Sequence, residues 1–305
     1  MQERRHFSGS LVALVTPFNG DAVDTEALER CVDYQLAGGT QGVVVAGTTG
    51  EAPVLSKGEY AALVAAVCEQ VAGKVPVIAG ATSYDPREAV ELAALAKQHG
   101  ADGLLCAAGY YNRPDQEGLY GHLRYLHDHS ELPILLYNIP PRTIVDISPD
   151  TLARLSELER VVGVKDACRD LARPMEERMR ITRCFSFLSG DDCTAVAYNA
   201  MGGNGVISVI ANVLPQLSRQ LQDACRDNDY AAGREFQAAV TPLIEALSLA
   251  PNPSAIKYAC SLLDLCQPEC RLPMVPLSDA AKASIRTAMA PWLMPVSRQS
   301  PAKVG

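Results

Sequence analysis

Lys165 lies in the short apolar segment VVGVKDA, where a buried strand is expected and a charged side chain is not. A lysine at the end of a buried strand has its charged form disfavoured by desolvation, which draws its pKa down from about 10.4 toward neutrality. The free amine is then a nucleophile, and the chemistry that needs one is Schiff-base formation with a carbonyl substrate. The opposing reading is burial by chance beside an acid, with Asp166 as the salt-bridge partner. Lys57, Lys74, Lys97, Lys257, Lys282 and Lys303 fall on helical, loop or tail stretches, where an ammonium reaches water along its stem.

Other polar groups follow apolar runs in the same way. AGTTGE carries Thr48 and Thr49 among small residues, so backbone N–H groups and hydroxyls there could cradle a carboxylate. Tyr110 and Tyr111 follow in AAGYYNRP, Tyr137, Asn138 and Arg142 in LLYNIPPRT, and Gly190 with Asp191 in LSGDD. Tyr137 suits an acid/base partner for carbinolamine formation and dehydration, or a buried phenol donating one structural hydrogen bond. Arg142 is either a bidentate carboxylate clamp or a surface arginine pairing with Asp146. Glu51, at a helix start, reads as a first-turn capping acid, and neither it nor Asp191 stands out as a base.

These groups need elements to bring them together. Eight apolar runs, SLVALVTPF, QGVVVAGTT, VPVIAGA, ADGLLCAAGYY, LPILLYNIP, RVVGVKDA, FSFLSG and GNGVISVIAN, recur at intervals of a few tens of residues. Helical patterns such as TEALERCVDYQLAGG, KGEYAALVAAVCEQV, PREAVELAALAKQHG, QEGLYGHLRYLHDH and SPDTLARLSELE separate them. Continuous apolar strands alternating with helices predict a parallel sheet, and eight units predict a closed (β/α)8 TIM barrel, an α/β fold. A doubly wound sheet is the weaker alternative, because no G-x-G-x-x-G follows the first strand. On a barrel the C-terminal strand ends carry the active site, and Tyr137 lies one unit before Lys165, on the neighbouring strand. After Asn212 the strands stop. The predicted division is a barrel over 8–224 and an appended C-terminal helical region over 225–296, its last helix closing near Trp292, with VSRQSPAKVG as a frayed tail.

Composition limits the ligand. The chain of 305 residues is 48% hydrophobic and 20% charged, as expected of a soluble globular protein. A net charge of -8 without a basic run argues against nucleic acid or an anionic membrane surface, which leaves small molecules. No apolar run approaches a membrane span, and MQERRHFSGS lacks the apolar core of a secretory signal, so a cytoplasmic location is expected. Ten cysteines without a CxxC pair read as reduced, mostly buried thiols, and the five histidines form no ligand pattern, so no metal site is expected.

AGTTGE, GYYNRPDQEGLYGH, YNIPPRT, GVKDA, SGDD and GVISVIAN, in this order, resemble the dihydrodipicolinate synthase and N-acetylneuraminate lyase family of pyruvate-dependent class I aldolases. NPSAIKYA and RLPMVPLSD extend the resemblance over residues 8–293, and GTTGE with Y-N-x-P-x-R-T is similar to the synthase branch. The resemblance implies a covalent Schiff base between Lys165 and C2 of pyruvate, with no other cofactor, whose enamine attacks aspartate 4-semialdehyde on the route to diaminopimelate and lysine. It implies Tyr137 as proton donor and acceptor, with Thr48 and Tyr111 completing a relay. Tyr111 would cross a dimer interface to serve the neighbouring site, in a homotetramer built as a dimer of dimers. Thr48 and Thr49 would hold the pyruvate carboxylate and Arg142 that of the semialdehyde. Ile207 would line the pocket through its backbone, and Gly190 counts among the substrate-binding positions.

Departures are visible too. Ile144 stands where the family usually has glycine. The lysine regulatory site of feedback-inhibited members matches at Tyr110 and Glu88, whereas Ala52, Pro53, Lys57, Tyr60 and Tyr84 differ, so lysine inhibition is expected to be weak or absent. The rival readings are an aldolase or dehydratase acting on 2-keto-3-deoxy sugar acids, against which Arg142 argues, and a non-catalytic paralogue, against which the retained Lys165, Tyr137, Thr48 and Tyr111 argue.

Overall fold

A computed structural model describes residues 6–107 and 109–293; the expected tail 296–305, including Lys303, lies outside them. Eight parallel strands, β1 Gly9–Ala13, β2 Gly42–Val45, β3 Val77–Gly80, β4 Gly103–Ala107, β5 Ile134–Asn138, β6 Val161–Asp166, β7 Ser186–Ser189 and β8 Gly205–Ser208, close into a barrel. Each pairs with its sequence neighbours, and β8 returns to β1 with Gly9 opposite Gly205. All eight strands expected from the apolar runs are present.

Helices cover the outside: α1 Thr25–Ala37, α2 Lys57–Val71, α3 Pro86–Gln98, α4 Gln116–His129, α5 Pro149–Ser156, α6 Arg173–Arg180, α7 Ala195–Ala200 and α8 Pro215–Arg226. Local chemistry starts them. Asp24, Asp85, Asp115 and Ser148 accept from first-turn N–H groups, and Ser56 with Glu59 forms a capping box. The α6 and α7 helices were not among the helical patterns read from the sequence. In RPMEERMR the methionines Met175 and Met179 are exposed, so no apolar face marks α6 in advance. A short hairpin of Phe18–Asn19 with Ala22–Val23 was also unforeseen.

Two cores result from the alternation of side chains across the strands. Leu11, Val44, Ile78, Leu105, Leu135, Leu188 and Ile207 fill the barrel, with Phe7 among them ahead of β1. The outer core joins the opposite strand faces to the helices. Helices α9 Tyr230–Leu247, α10 Ser254–Ser261 and α11 Asp279–Met289 contribute Val240, Leu243, Ile256, Ala259, Ile285 and Met289 to that outer core. A 3-10 turn at Ala290–Trp292 ends the described chain close to the expected point.

An irregularity in β6 decides which way Lys165 faces. Ile134 pairs with Val161 but Leu135 pairs with Gly163, so Val162 is an extra residue. Val162 packs with the barrel interior and Val164 with the outer core. Uninterrupted alternation from Val162 would send 164 and 166 inward and Lys165 outward; the bulge brings Gly163 and Lys165 into the barrel instead. A Cβ at position 163 would come within 2.6 Å of Leu135 and Ser186, so glycine suits the inward position.

Candidate active site

Lys165 and Tyr137 are paired across adjacent strands, and the amine lies 4.3 Å from the centre of the phenol ring. Lys165 is 5% exposed, and among the described residues it forms no ion pair. The expected partner in the chance-burial reading, Asp166, faces outward and stands 3.1 Å from the Nε of Arg173. Burial draws the Lys165 pKa down to about 8, against the opposing charge of Asp192 and with some help from the positive Arg142. Tyr137 is pushed up to about 12, chiefly by burial, and is eased by Arg142 and by a hydrogen bond with Thr48. The phenol therefore keeps its proton near neutrality, while a fraction of the amine is free.

Gly190 permits the lysine's path. A Cβ there would lie 3.0 Å from Lys165 Cε and 2.9 Å from Ala167 Cβ, closer than side chains tolerate. Asp191, next along, pairs with Arg169, while Asp192 accepts from the N–H groups of Val209 (2.8 Å) and Ile210 (3.0 Å) beyond β8. Ile207 is fully buried in the barrel interior, in the same cluster as Tyr137.

Thr49 is buried and its hydroxyl accepts from Asn252 Nδ2 at 3.0 Å. Arg142 is exposed; its Nη2 makes a long contact of 3.5 Å with the Asn252 carbonyl oxygen. It does not pair with Asp146, which is taken by Arg173 and Asn138. Asn252 and Asp192 therefore belong to this neighbourhood although sequence reasoning did not single them out. The only signals were the Asn-Pro step before a helix and the second acid of LSGDD.

Two expectations need correction. Glu51 does not cap a helix through its side chain. It is buried in the αL conformation, its Oε1 pairs with Lys257 Nζ at 2.5 Å and its Oε2 accepts the Arg271 N–H at 3.0 Å. Lys257, expected to reach water, is wholly buried: its ammonium also donates to the Glu269 carbonyl (2.7 Å) and lies 4.1 Å from the centre of the Phe18 ring. The apolar face of α10 carried it inward, and Glu51, about two hundred residues away, supplies the countercharge.

Tyr111 is not brought to the other site residues within one chain. It is 87% exposed and sits at φ +67. The neighbouring Tyr110 stacks edge-on to Tyr84, with centroids 5.7 Å apart, and Glu88 accepts from Ser83 Oγ at 2.6 Å. Ile144 has φ +66 where the one-turn helix Pro140–Thr143 ends, which explains why glycine is the easier residue there: a β-branched side chain in that region is strained.

The Dihydrodipicolinate synthetase family model matches residues 6–290. The chain belongs to this family. Among its curated relatives, the 4-hydroxy-tetrahydrodipicolinate synthase of Parvibaculum lavamentivorans is 49% identical, over 93% of this chain and 97% of that protein. The synthase of the same name from Ruegeria pomeroyi is 47% identical, over 93% and 98%. Among solved structures, dihydrodipicolinate synthase from Aquifex aeolicus superposes with a TM-score of 0.92 at 39% identity, covering 94% of this chain and 98% of that one. The Acinetobacter baumannii enzyme, solved in complex with pyruvate, gives 0.91 at 36%, covering 93% and 98%. This member of the dihydrodipicolinate synthetase family is thus an enzyme of the lyase class, in the branch indicated by its GTTGE and YNIPPRT motifs.

All ten cysteines are free thiols, five of them buried. Among the described residues no His, Cys, Asp or Glu cluster could hold a metal, and no helix is long and apolar enough to cross a membrane.

Proposed function

We propose that Lys165 attacks C2 of pyruvate in a 4-hydroxy-tetrahydrodipicolinate synthase reaction. The observation that carries this reading is the buried amine, without an ion-pair partner among the described residues, set 4.3 Å from the Tyr137 ring at the C-terminal end of a barrel strand. The neutral amine adds to the carbonyl, giving a carbinolamine. A proton passed from Tyr137 lets its hydroxyl leave as water, forming the Schiff base. The Tyr137 oxygen takes back a methyl proton, giving the enamine, whose carbon attacks the aldehyde of L-aspartate 4-semialdehyde as the phenol protonates the new alkoxide. Attack of the semialdehyde-derived amine on the imine carbon then closes the ring and returns the Lys165 amine. Thr48, hydrogen-bonded to Tyr137, is the next relay member. Thr48 and Thr49 hold the pyruvate carboxylate, with Gly190 and the Ile207 backbone lining the pocket, and Arg142 takes the second carboxylate. The covalent pyruvate adduct is the only cofactor-like species this chemistry requires.

A homotetramer, as a dimer of dimers in which Tyr111 serves a partner's site, is part of the same proposal; the outward position of Tyr111 supports it. The set of free thiols supports a cytoplasmic location. The division into a barrel over 8–224 and a helical brace over 225–296 belongs to the proposal as well.

The test is the intact mass after mixing with pyruvate and borohydride, with Lys165→Ala as control. The expected result is a stable pyruvyl adduct that disappears in the variant. No adduct in folded protein would overturn the reading.

A further inference from the structure

Tyr137 and Lys165 face into the barrel, so the residues after them, Asn138 and Asp166, which are likewise paired across β5 and β6, face out. A buried guanidinium connects this outer pair. Asn138 Nδ2 donates to Asp146 Oδ1 at 2.7 Å, and Asp146 accepts from Arg173 Nη1 at 2.7 and 2.9 Å. Arg173 Nε stands 3.1 Å from Asp166 Oδ2, while Nε and Nη2 donate to Glu177 Oε1 at 3.2 and 3.1 Å. Asp166 also accepts the Cys168 N–H on its other oxygen and, through its carbonyl, the Gly190 N–H at 2.6 Å. The ends of the three strands that carry Tyr137, Lys165 and Gly190 are therefore tied from behind by one set of contacts.

We propose that Arg173 is a positioning residue for the Schiff-base chemistry: by holding Asp166 directly, and Asn138 through Asp146, outside the barrel, it sets how Tyr137 and Lys165 meet inside it. The inference rests on the Lys165 reading above. One guanidinium faces three carboxyl groups here, and Asp166 Oδ2 and Glu177 Oε2 are buried without hydrogen-bond donors. A plain structural bridge would be expected to satisfy those oxygens. Burial, then the charge of Asp166, pushes Glu177 up to about 8, so the cluster retains a proton near neutrality. Arg173 ion-pairs with Asp146, Asp166 and Glu177 together, so their arrangement depends on it. A displacement of the amine by a fraction of an ångström is enough to slow a reaction that relies on alignment.

The experiment compares Asp146→Ala and Arg173→Lys with the wild-type enzyme. Asp146 has a side chain 48% exposed, so its variant is expected to fold even if Arg173→Lys does not. Turnover is expressed per site trapped by pyruvate and borohydride, which removes any loss through unfolded protein. The expected result is a fall of about tenfold in kcat and in the trapping rate per site, with KM for pyruvate changed by less than about twofold. In a Tyr137→Phe background the same substitutions should cost little more, because they act through the phenol–amine alignment. Rates per site within about twofold of wild type, or losses that multiply in full with Tyr137→Phe, would overturn the proposal. Absence of wild-type adduct would instead sink the Lys165 mechanism, so the two failures are distinct.

Discussion

Lys165 and Lys257 are both buried, yet their surroundings suit them to opposite tasks. Lys257 has a carboxylate, a carbonyl and an aromatic face around its ammonium, whereas Lys165 has an aromatic face and, among the described residues, no ion pair. Burial is what frees the Lys165 amine to react, unopposed by an ion pair among the described residues. With the Lys165 pKa near 8, about a tenth of the amine is free at pH 7 and nearly all of it above pH 9. Because the reactive species is the deprotonated one, the rate of borohydride trapping at saturating pyruvate should rise about tenfold from pH 7 to 9 and then level off. A flat profile, or an inflection near 10, would contradict this. The sequence made Lys165 legible because a cation interrupts an apolar strand. It could not separate Lys257 from the surface lysines, since α10 is short and its partner Glu51 is remote in the chain.

At the scale of elements, strands were read well because each is a continuous apolar run bounded by turns. The α6 helix was not, because charged residues occupy most of its positions and Arg173 makes its contacts beyond the helix with two other segments, Asp146–Ile147 and the end of β6. The C-terminal helices do more than extend the fold. Lys257 and Arg271 hold Glu51, which ends the AGTTGE loop, and the Glu51 N–H returns to the Thr48 carbonyl. Lys257→Met would leave that carboxylate buried without its cation, and should cost about 3–5 kcal/mol in denaturant titrations. Adding Glu51→Gln should recover part of the loss. A single-variant cost below about 1 kcal/mol would mean that Arg271 suffices to hold Glu51.

For the whole molecule, the exposed Tyr111 leaves one proposed relay member outside the chain's own site. If a partner supplies it, Lys165→Ala and Tyr111→Phe chains, each poorly active, should complement when dissociated and reassembled together. Random pairing regenerates roughly a quarter of the wild-type sites, since half of the dimers are mixed and each holds one intact site. No recovery in proven mixed oligomers would place Tyr111 in its own chain's site or outside the reaction. The chain-to-chain arrangement was not legible from spacing, because strand and helix periodicity describe one chain at a time.

The bulge at Val162 has a genetic consequence. Loss of that single codon would leave Val161 opposite Ile134 and Gly163 opposite Leu135 in an unbroken ladder, so Lys165 would keep its place opposite Tyr137 inside the barrel. A lineage could thus shed the bulge without losing its nucleophile, and only the interval between tyrosine and lysine would record the event.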